Sequence, residues 1–158
     1  MRNIVLARID DRLIHGQIVT SWCKATSANR IVIVDDPLSK DSFTQRLLKA
    51  AAPSDIIVDI LGFDQAVQFL QEDDHGEGKV ILLTKTPKVM EDLINQNIFI
   101  KTIILGGMGA KTGRSKLNKN ISASTEEVDC MKRIINGGTE IFYQLVPAEH
   151  PINVKKFI

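Results

Sequence analysis

Ten residues near the amino terminus, Arg8-Ile9-Asp10-Asp11-Arg12-Leu13-Ile14-His15-Gly16-Gln17, gather two arginines, two aspartates, a histidine and a glycine. These types at this spacing suit a histidine that carries a phosphoryl group. Near neutral pH an uncharged imidazole has one ring nitrogen free to attack phosphorus. Its second nitrogen must be held by an acceptor so that the first is aimed; Asp10, Asp11 or a backbone carbonyl can do this. The incoming group spreads negative charge over its oxygens, and Arg12 and Arg8 offer planar, permanently charged donors. Gly16 lets the backbone approach closely, and a helix starting there would aim N–H groups at the anion. Phosphoryl transfer needs mainly positioning and charge stabilisation. The same residues also read as surface ion pairs, Arg8–Asp10 and Asp11–Arg12, of little energetic worth, with His15 as a capping or core histidine. A metal site built from Asp10, Asp11 and His15 is the lesser alternative, since their spacing matches no zinc or calcium pattern.

The elements that must position this cluster alternate along the chain. Short β-branched runs at 4–9, 31–34, 56–61, 80–84, 102–105 and 140–146 read as strands. Their near-continuous apolar character fits a sheet covered on both faces. Between them lie helical patterns. Ile18, Val19 and Trp22 begin a helix directly after the cluster. Phe43, Leu47, Leu48 and Ala51 share one helical face, closed by Pro53. Thr86-Pro87 is a hydroxyl cap followed by a first-turn proline, ahead of the stripe Val89, Met90, Leu93 and Ile94. Ser124 and Glu127 form a capping box before Val128, Met131, Ile134 and Ile135, and Gly137-Gly138 ends that helix. All these stripes are expected in the core. The fold class is α/β: an open, mostly parallel sheet of six or seven strands with helices on both faces. Such sheets bind ligands beyond the carboxyl ends of their strands, where the 8–17 cluster falls. The segment 106–120 reads as a long, basic, glycine-rich loop, and long loops are often functional. Its Lys111, Arg114, Lys116 and Lys119 read first as ordinary surface charge and second as contacts to an acidic partner. Gly106 and Gly107 read as a close approach to phosphate or partner, or as a turn needing positive φ.

The chain has 158 residues, one domain's worth, read as the single unit 1–158. Twenty Lys and Arg stand against nineteen Asp and Glu, and a net charge of +1 argues against a nucleic-acid partner. No apolar run reaches the length of a membrane span, and no leader pattern opens the chain. Two cysteines, Cys23 and Cys130, exclude a disulfide framework and fit a reducing cytosol. Both fall inside helical patterns and read as small buried residues rather than reactive thiols. His75, in an acidic loop, and His150 read as surface residues.

The string 8–17 closely resembles the active-site loop of the IIB components of the mannose/fructose/sorbose type in the bacterial phosphoenolpyruvate-dependent sugar phosphotransferase system. Further likenesses follow in the family's order along nearly the whole chain: Val34-Asp35-Asp36, Leu47-Leu48-Lys49-Ala50-Ala51-Ala52-Pro53, Leu105-Gly106-Gly107-Met108 with Gly113-Arg114, and Leu145-Val146-Pro147. The resemblance implies a phosphotransferase in which His15 takes a phosphoryl group, at Nδ1, from a phosphohistidine on a IIA domain. The group then passes to a sugar held by membrane IIC and IID subunits. Arg12 matches an arginine that balances the phosphoryl charge; Arg8, Asp10 and Gln17 match other loop positions. It implies no cofactor and no metal, and a cytoplasmic location at the inner membrane face. Mannose, fructose, sorbose and amino sugars all remain open as substrates, and so does a homo-oligomer. The partner face is expected around His15, with Leu13 and Ile14 contributing to it.

Two other functions compete. A receiver domain also has an acidic pair after its first strand, here Asp10-Asp11, and a later Thr-Lys, here Thr84-Lys85. It requires a phosphorylated aspartate at the end of its third strand, whereas Asp59 lies inside the run 56–61. A non-catalytic module would use the same Arg/Asp/His loop to recognise an anion or a partner without covalent chemistry.

Overall fold

The computed structural model describes all residues, Met1–Ile158. The chain runs β1 (Ile4–Asp10), α1 (Gly16–Thr26), β2 (Arg30–Val34), α2 (Ser42–Ala51), β3 (Ile57–Leu61), α3 (Phe63–Gln71), β4 (Val80–Thr84), α4 (Pro87–Asn95), β5 (Thr102–Gly107), β6 (Ser115–Asn118), β7 (Ile121–Ala123), α5 (Thr125–Asn136), β8 (Glu140–Tyr143) and β9 (Ile152–Asn153). Seven strands form one sheet in the order β3-β2-β4-β1-β5-β8-β9. Every pairing in it is parallel except the short edge pair β8–β9. The expected fold class therefore stands. β1 is central, with parallel neighbours on both sides, so the loop leaving it emerges mid-sheet.

The pleat sends alternate side chains to opposite faces. On β1, Ala7 and Ile9 enter a core with Val32, Val34, Leu82 and Leu105, capped by Leu70 of α3, Met90 and Leu93 of α4, and Met131 and Ile134 of α5. Leu6 turns to the other core, with Ile31, Ile33, Ile81 and Leu83 under Val19, Trp22 and Cys23 of α1. The 8–17 loop is pinned into this second core by Leu13 and Ile14, 3% and 4% exposed. Their burial corrects the expectation that they face a partner: two apolar side chains gain more under α1 than in water.

Other expectations change as well. The α2 stripe is not core: Phe43 and Leu47 are 64% and 56% exposed, Ala51 is exposed, and Leu48 is only half-buried. The reason is local. A 3-10 turn, Leu38–Lys40, puts Leu38 over the sheet edge, and α2 rests on that turn instead of on the strands. The long loop 106–120 is partly a hairpin, β6–β7, tied to the end of β5 by Met108 N–H to Asn120 C=O (3.0 Å) and Ser122 N–H to Met108 C=O (2.7 Å). Thr86 precedes α4 but its side chain caps nothing. The Ser124–Glu127 capping box forms with both hydrogen bonds. The strand expected over 140–146 stops at Tyr143, because the Gln144 and Leu145 carbonyls turn toward the 8–17 loop.

Candidate active site

The site is built around Asp10, the last residue of β1, which is completely buried. Its Oδ1 accepts the Arg12 backbone N–H (3.1 Å) and the Arg12 Nε–H (3.0 Å). Its Oδ2 faces Arg12 Nη2 (3.1 Å), Arg8 Nη2 (3.3 Å) and His15 Nε2 (3.1 Å). Burial alone would raise this carboxyl's pKa, but the hydrogen bonds from Arg12 and His15 outweigh it and hold the group below its ordinary range. Asp10 is thus a carboxylate, and a ring nitrogen facing a carboxylate carries the proton. Nε2 of His15 is the donor, which leaves the lone pair on Nδ1. Of the acceptors open to the sequence, it is Asp10 that holds the ring.

His15 stands at the N-cap of α1 in extended conformation, its side chain 23% exposed and making no capping bond. The bend that presents it needs two left-handed residues, Leu13 (φ 59°) and Gly16 (φ 50°). For a leucine this conformation is costly, and the burial of Leu13 and Ile14 offsets it.

The two arginines behave differently. Arg12 is half-exposed, and two of its guanidinium nitrogens are held by Asp10. Arg8 is buried: Nη1 donates to the Gln144 carbonyl (2.9 Å), Nη2 donates to the Leu145 carbonyl (3.1 Å), and the guanidinium lies 5.4 Å from the Trp22 ring centroid. Burial is the largest influence on its pKa, which is lowered against the opposing pull of Asp10. Arg8 therefore braces Asp10 from beneath. Gln17 lies exposed in the first turn of α1. Asp11 turns away from His15, and its Oδ2 accepts the Gly109 N–H (2.7 Å) and Arg114 Nη1 (3.3 Å). With neutral His15, the cluster of Arg8, Arg12 and Asp10 carries one net positive charge, ready for an anion.

Gly106 and Gly107 belong to this site for a reason that spacing did not reveal. Neither has positive φ. A Cβ at Gly106 would lie 2.0 Å from Arg8 Nη2, and one at Gly107 would lie 2.7 Å from Arg12 Nη2 and 2.9 Å from Asp10 Oδ1. Each glycine is bare because an arginine lies flat against it. Beside Arg12 opens a cavity of about 410 Å³, lined by Asp11, Gly109, Lys116, Lys119 and Asn120 among others.

Residues outside the cluster stay apart from it. Asp59 sits inside β3, bonded to Arg30, and not at the strand's end. Lys85 pairs with Asp35 at 3.6 Å. Burial, with Glu91 nearby, pushes the Cys130 thiol up to about 12, and burial with Asp55 raises Cys23. Both are thiols at neutral pH. Arg114, read as surface charge, has a side chain only 2% exposed and holds Glu127 through paired 2.8 Å bonds.

Comparison with known proteins points one way. A family model described as "PTS system sorbose subfamily IIB component" matches residues 4–158. The sorbose-specific EIIB component of Lacticaseibacillus casei is 33% identical over 146 residues, covering 92% of this chain and 89% of that one. The mannose-specific EIIAB component of Escherichia coli is 28% identical over 98% of this chain and 48% of its own length. The crystal structure of the IIBSor domain of the sorbose permease from Klebsiella pneumoniae superposes with a TM-score of 0.94 at 30% identity, covering 98% of this chain and 95% of that one.

Proposed function

Since the chain belongs to the sorbose subfamily of IIB components of the sugar phosphotransferase system, and so transfers phosphoryl groups in sugar uptake, we propose that His15 is the residue that carries the group. The observation that carries this reading is the contact of His15 Nε2 with buried, ionised Asp10, which leaves Nδ1 as nucleophile while Arg12 is held on the same carboxylate. The Nδ1 lone pair attacks the phosphorus of a phosphohistidine on a IIA domain. The new N–P bond forms as the old one breaks, and the donor imidazole leaves with the bonding pair. Arg12 meets the charge on the transferring oxygens. Asp10 keeps the ring oriented, and Arg8 keeps Asp10 in place. Gln17 flanks the histidine in the first turn of the helix, where backbone N–H groups favour an anion. In the second step a sugar hydroxyl attacks phosphorus, the pair returns to Nδ1, and the hydroxyl proton is released.

A IIA region is the donor; the E. coli relative, by its name, joins A and B portions in one protein. The acceptor sugar, of the sorbose, fructose, mannose or amino-sugar class, is held by membrane IIC and IID subunits. No helix of this chain is long and apolar enough to cross a membrane, which suits a partner working at the cytoplasmic face. Residues 1–158 act as one phosphotransferase unit.

The test is intact mass after incubation with phosphoenolpyruvate, enzyme I, the histidine phosphocarrier protein and a IIA domain of the mannose type. The wild type gains one phosphate, lost in acid and stable in alkali, and His15→Gln gains none. An adduct that persists in His15→Gln overturns the assignment, and so does the absence of any adduct while the IIA control is phosphorylated.

A further inference from the structure

Arg114 is the one arginine of the 106–120 segment, and its environment is unlike that of the lysines around it. It lies just ahead of β6, yet its guanidinium is buried among three segments. Nε and Nη2 donate to the two oxygens of Glu127 at 2.8 Å each. Nη1 donates to the Gly109 carbonyl at 2.8 Å and to Asp11 Oδ2 at 3.3 Å. Glu127 is itself fixed, since its Oε1 accepts the Ser124 N–H in the capping box that opens α5. Asp11 is fixed from the other side: its carboxylate accepts the Gly109 N–H at 2.7 Å, and its own N–H donates to the Gly107 carbonyl at 3.1 Å. One buried guanidinium thus joins the start of α5, the turn before the hairpin and the loop that presents His15.

We propose that Arg114, held by Glu127, is a positioning residue for phosphoryl transfer, acting through Asp11 and the Gly107–Gly109 turn to set where the Arg12 guanidinium sits. The proposal rests on the reading of His15 and Arg12 given above.

Two physical consequences connect the clamp to Arg12. The first is steric. Gly107 lies flat against the Arg12 guanidinium, with no room for even one added carbon, so a shift of this turn moves Arg12 off Asp10. The second is electrostatic. Asp11 neighbours Arg12 in the chain, and Arg114 neutralises it. Without Arg114, the Asp11 carboxylate loses its compensating charge and is free to compete for Arg12. A partly desolvated carboxylate without its partner is far more consequential than a surface pair.

Asp11 and Glu127 are joined through Arg114, which makes the idea testable by a double-mutant cycle. Glu127→Gln preserves the capping box, since glutamine serves there, but removes the charge that anchors Arg114. Asp11→Asn removes the other anchor. The measurements are the rate of phosphoryl uptake from phosphorylated IIA domain, the 15N–1H signal of Arg12 Nε, and thermal unfolding. We expect each single variant to slow transfer about tenfold, a ratio equivalent to about 1.4 kcal/mol. The double variant should be no slower than the worse single one, and the Arg12 Nε–H signal should shift in all three. Arg114→Lys keeps the charge but not the paired geometry and should recover only part of the rate. Wild-type rates in Glu127→Gln, strictly multiplicative effects in the cycle, or slowing with an unmoved Arg12 signal would each overturn the clamp. If wild type itself takes up no phosphate while the IIA control does, it is the reading of His15 that fails, and the clamp falls with it.

Discussion

Two adjacent glycines separate stability from chemistry. A methyl at Gly106 collides with the guanidinium of Arg8, which is buried and bonded through both of its terminal nitrogens. Gly106→Ala should therefore destabilise by about 3 kcal/mol or more, as disrupted buried ionic networks do. A methyl at Gly107 meets the half-exposed end of Arg12, which can swing into solvent, and also the buried Asp10 Oδ1 at 2.9 Å. Gly107→Ala should cost less stability than Gly106→Ala yet transfer phosphoryl groups slowly; calorimetry beside the transfer assay separates the two cases. Arg12→Lys should likewise slow transfer with the fold intact, because one ammonium cannot reproduce the Nε and Nη2 bonds to Asp10; unchanged transfer kinetics would remove Arg12 from the mechanism. The residue types in 8–17 made the candidate site legible in sequence as a cluster, because arginine, aspartate and histidine at a strand end suit few tasks. The division of labour was not legible. Arg8 lies within β1 and is covered by α1 and the chain after β8, whereas Arg12 lies in the turn beyond the strand, and the glycines matter through contacts across strands, neither of which is written in local spacing.

At the scale of elements, periodicity identified faces but not what covers them. The α4 and α5 stripes reach the core, with Met90, Leu93, Met131 and Ile134 buried, whereas the α2 stripe stays outside because the Leu38 turn took its place on the sheet. Met131→Ala should cost about 2–5 kcal/mol. Phe43→Ser, from an equally apolar stripe, should change stability by about 0.5 kcal/mol or less, as denaturant titration of the two variants would show. The β6–β7 hairpin escaped sequence reading because its strands are short and β6 has a single apolar residue, Leu117. Its place is set by bonds to the end of β5, which lie outside its own pattern. The helix Phe63–Gln71 went unnamed for a similar reason: it lacks a side-chain cap to mark its start.

For the molecule as a whole, the topology follows from the alternation of elements and the acid sensitivity from two arginine-bonded carboxylates. Strand–helix alternation predicted the parallel sheet and its carboxyl-edge site, since parallel strands need crossovers and crossovers need helices. Asp10 and Glu127 both titrate below their ordinary values of 3.8 and 4.5. In each, burial opposes the shift and the arginine bonds win. A carboxyl depressed in the folded state stabilises the fold fully above its unfolded value and loses that contribution as pH falls. Unfolding free energy should thus be level from neutrality to about pH 5 and fall below it. Glu127→Gln should flatten part of that fall, as chemical denaturation across pH would reveal. The chain's single tryptophan, Trp22, packs over Arg8 and donates to the Leu145 carbonyl at 3.0 Å, directly beneath the His15 loop. The molecule therefore carries its own optical gauge. Indole emission should respond when Arg8 loses its grip on Asp10, and fluorescence followed in real time during phosphorylation would register the state of the loop without any attached dye.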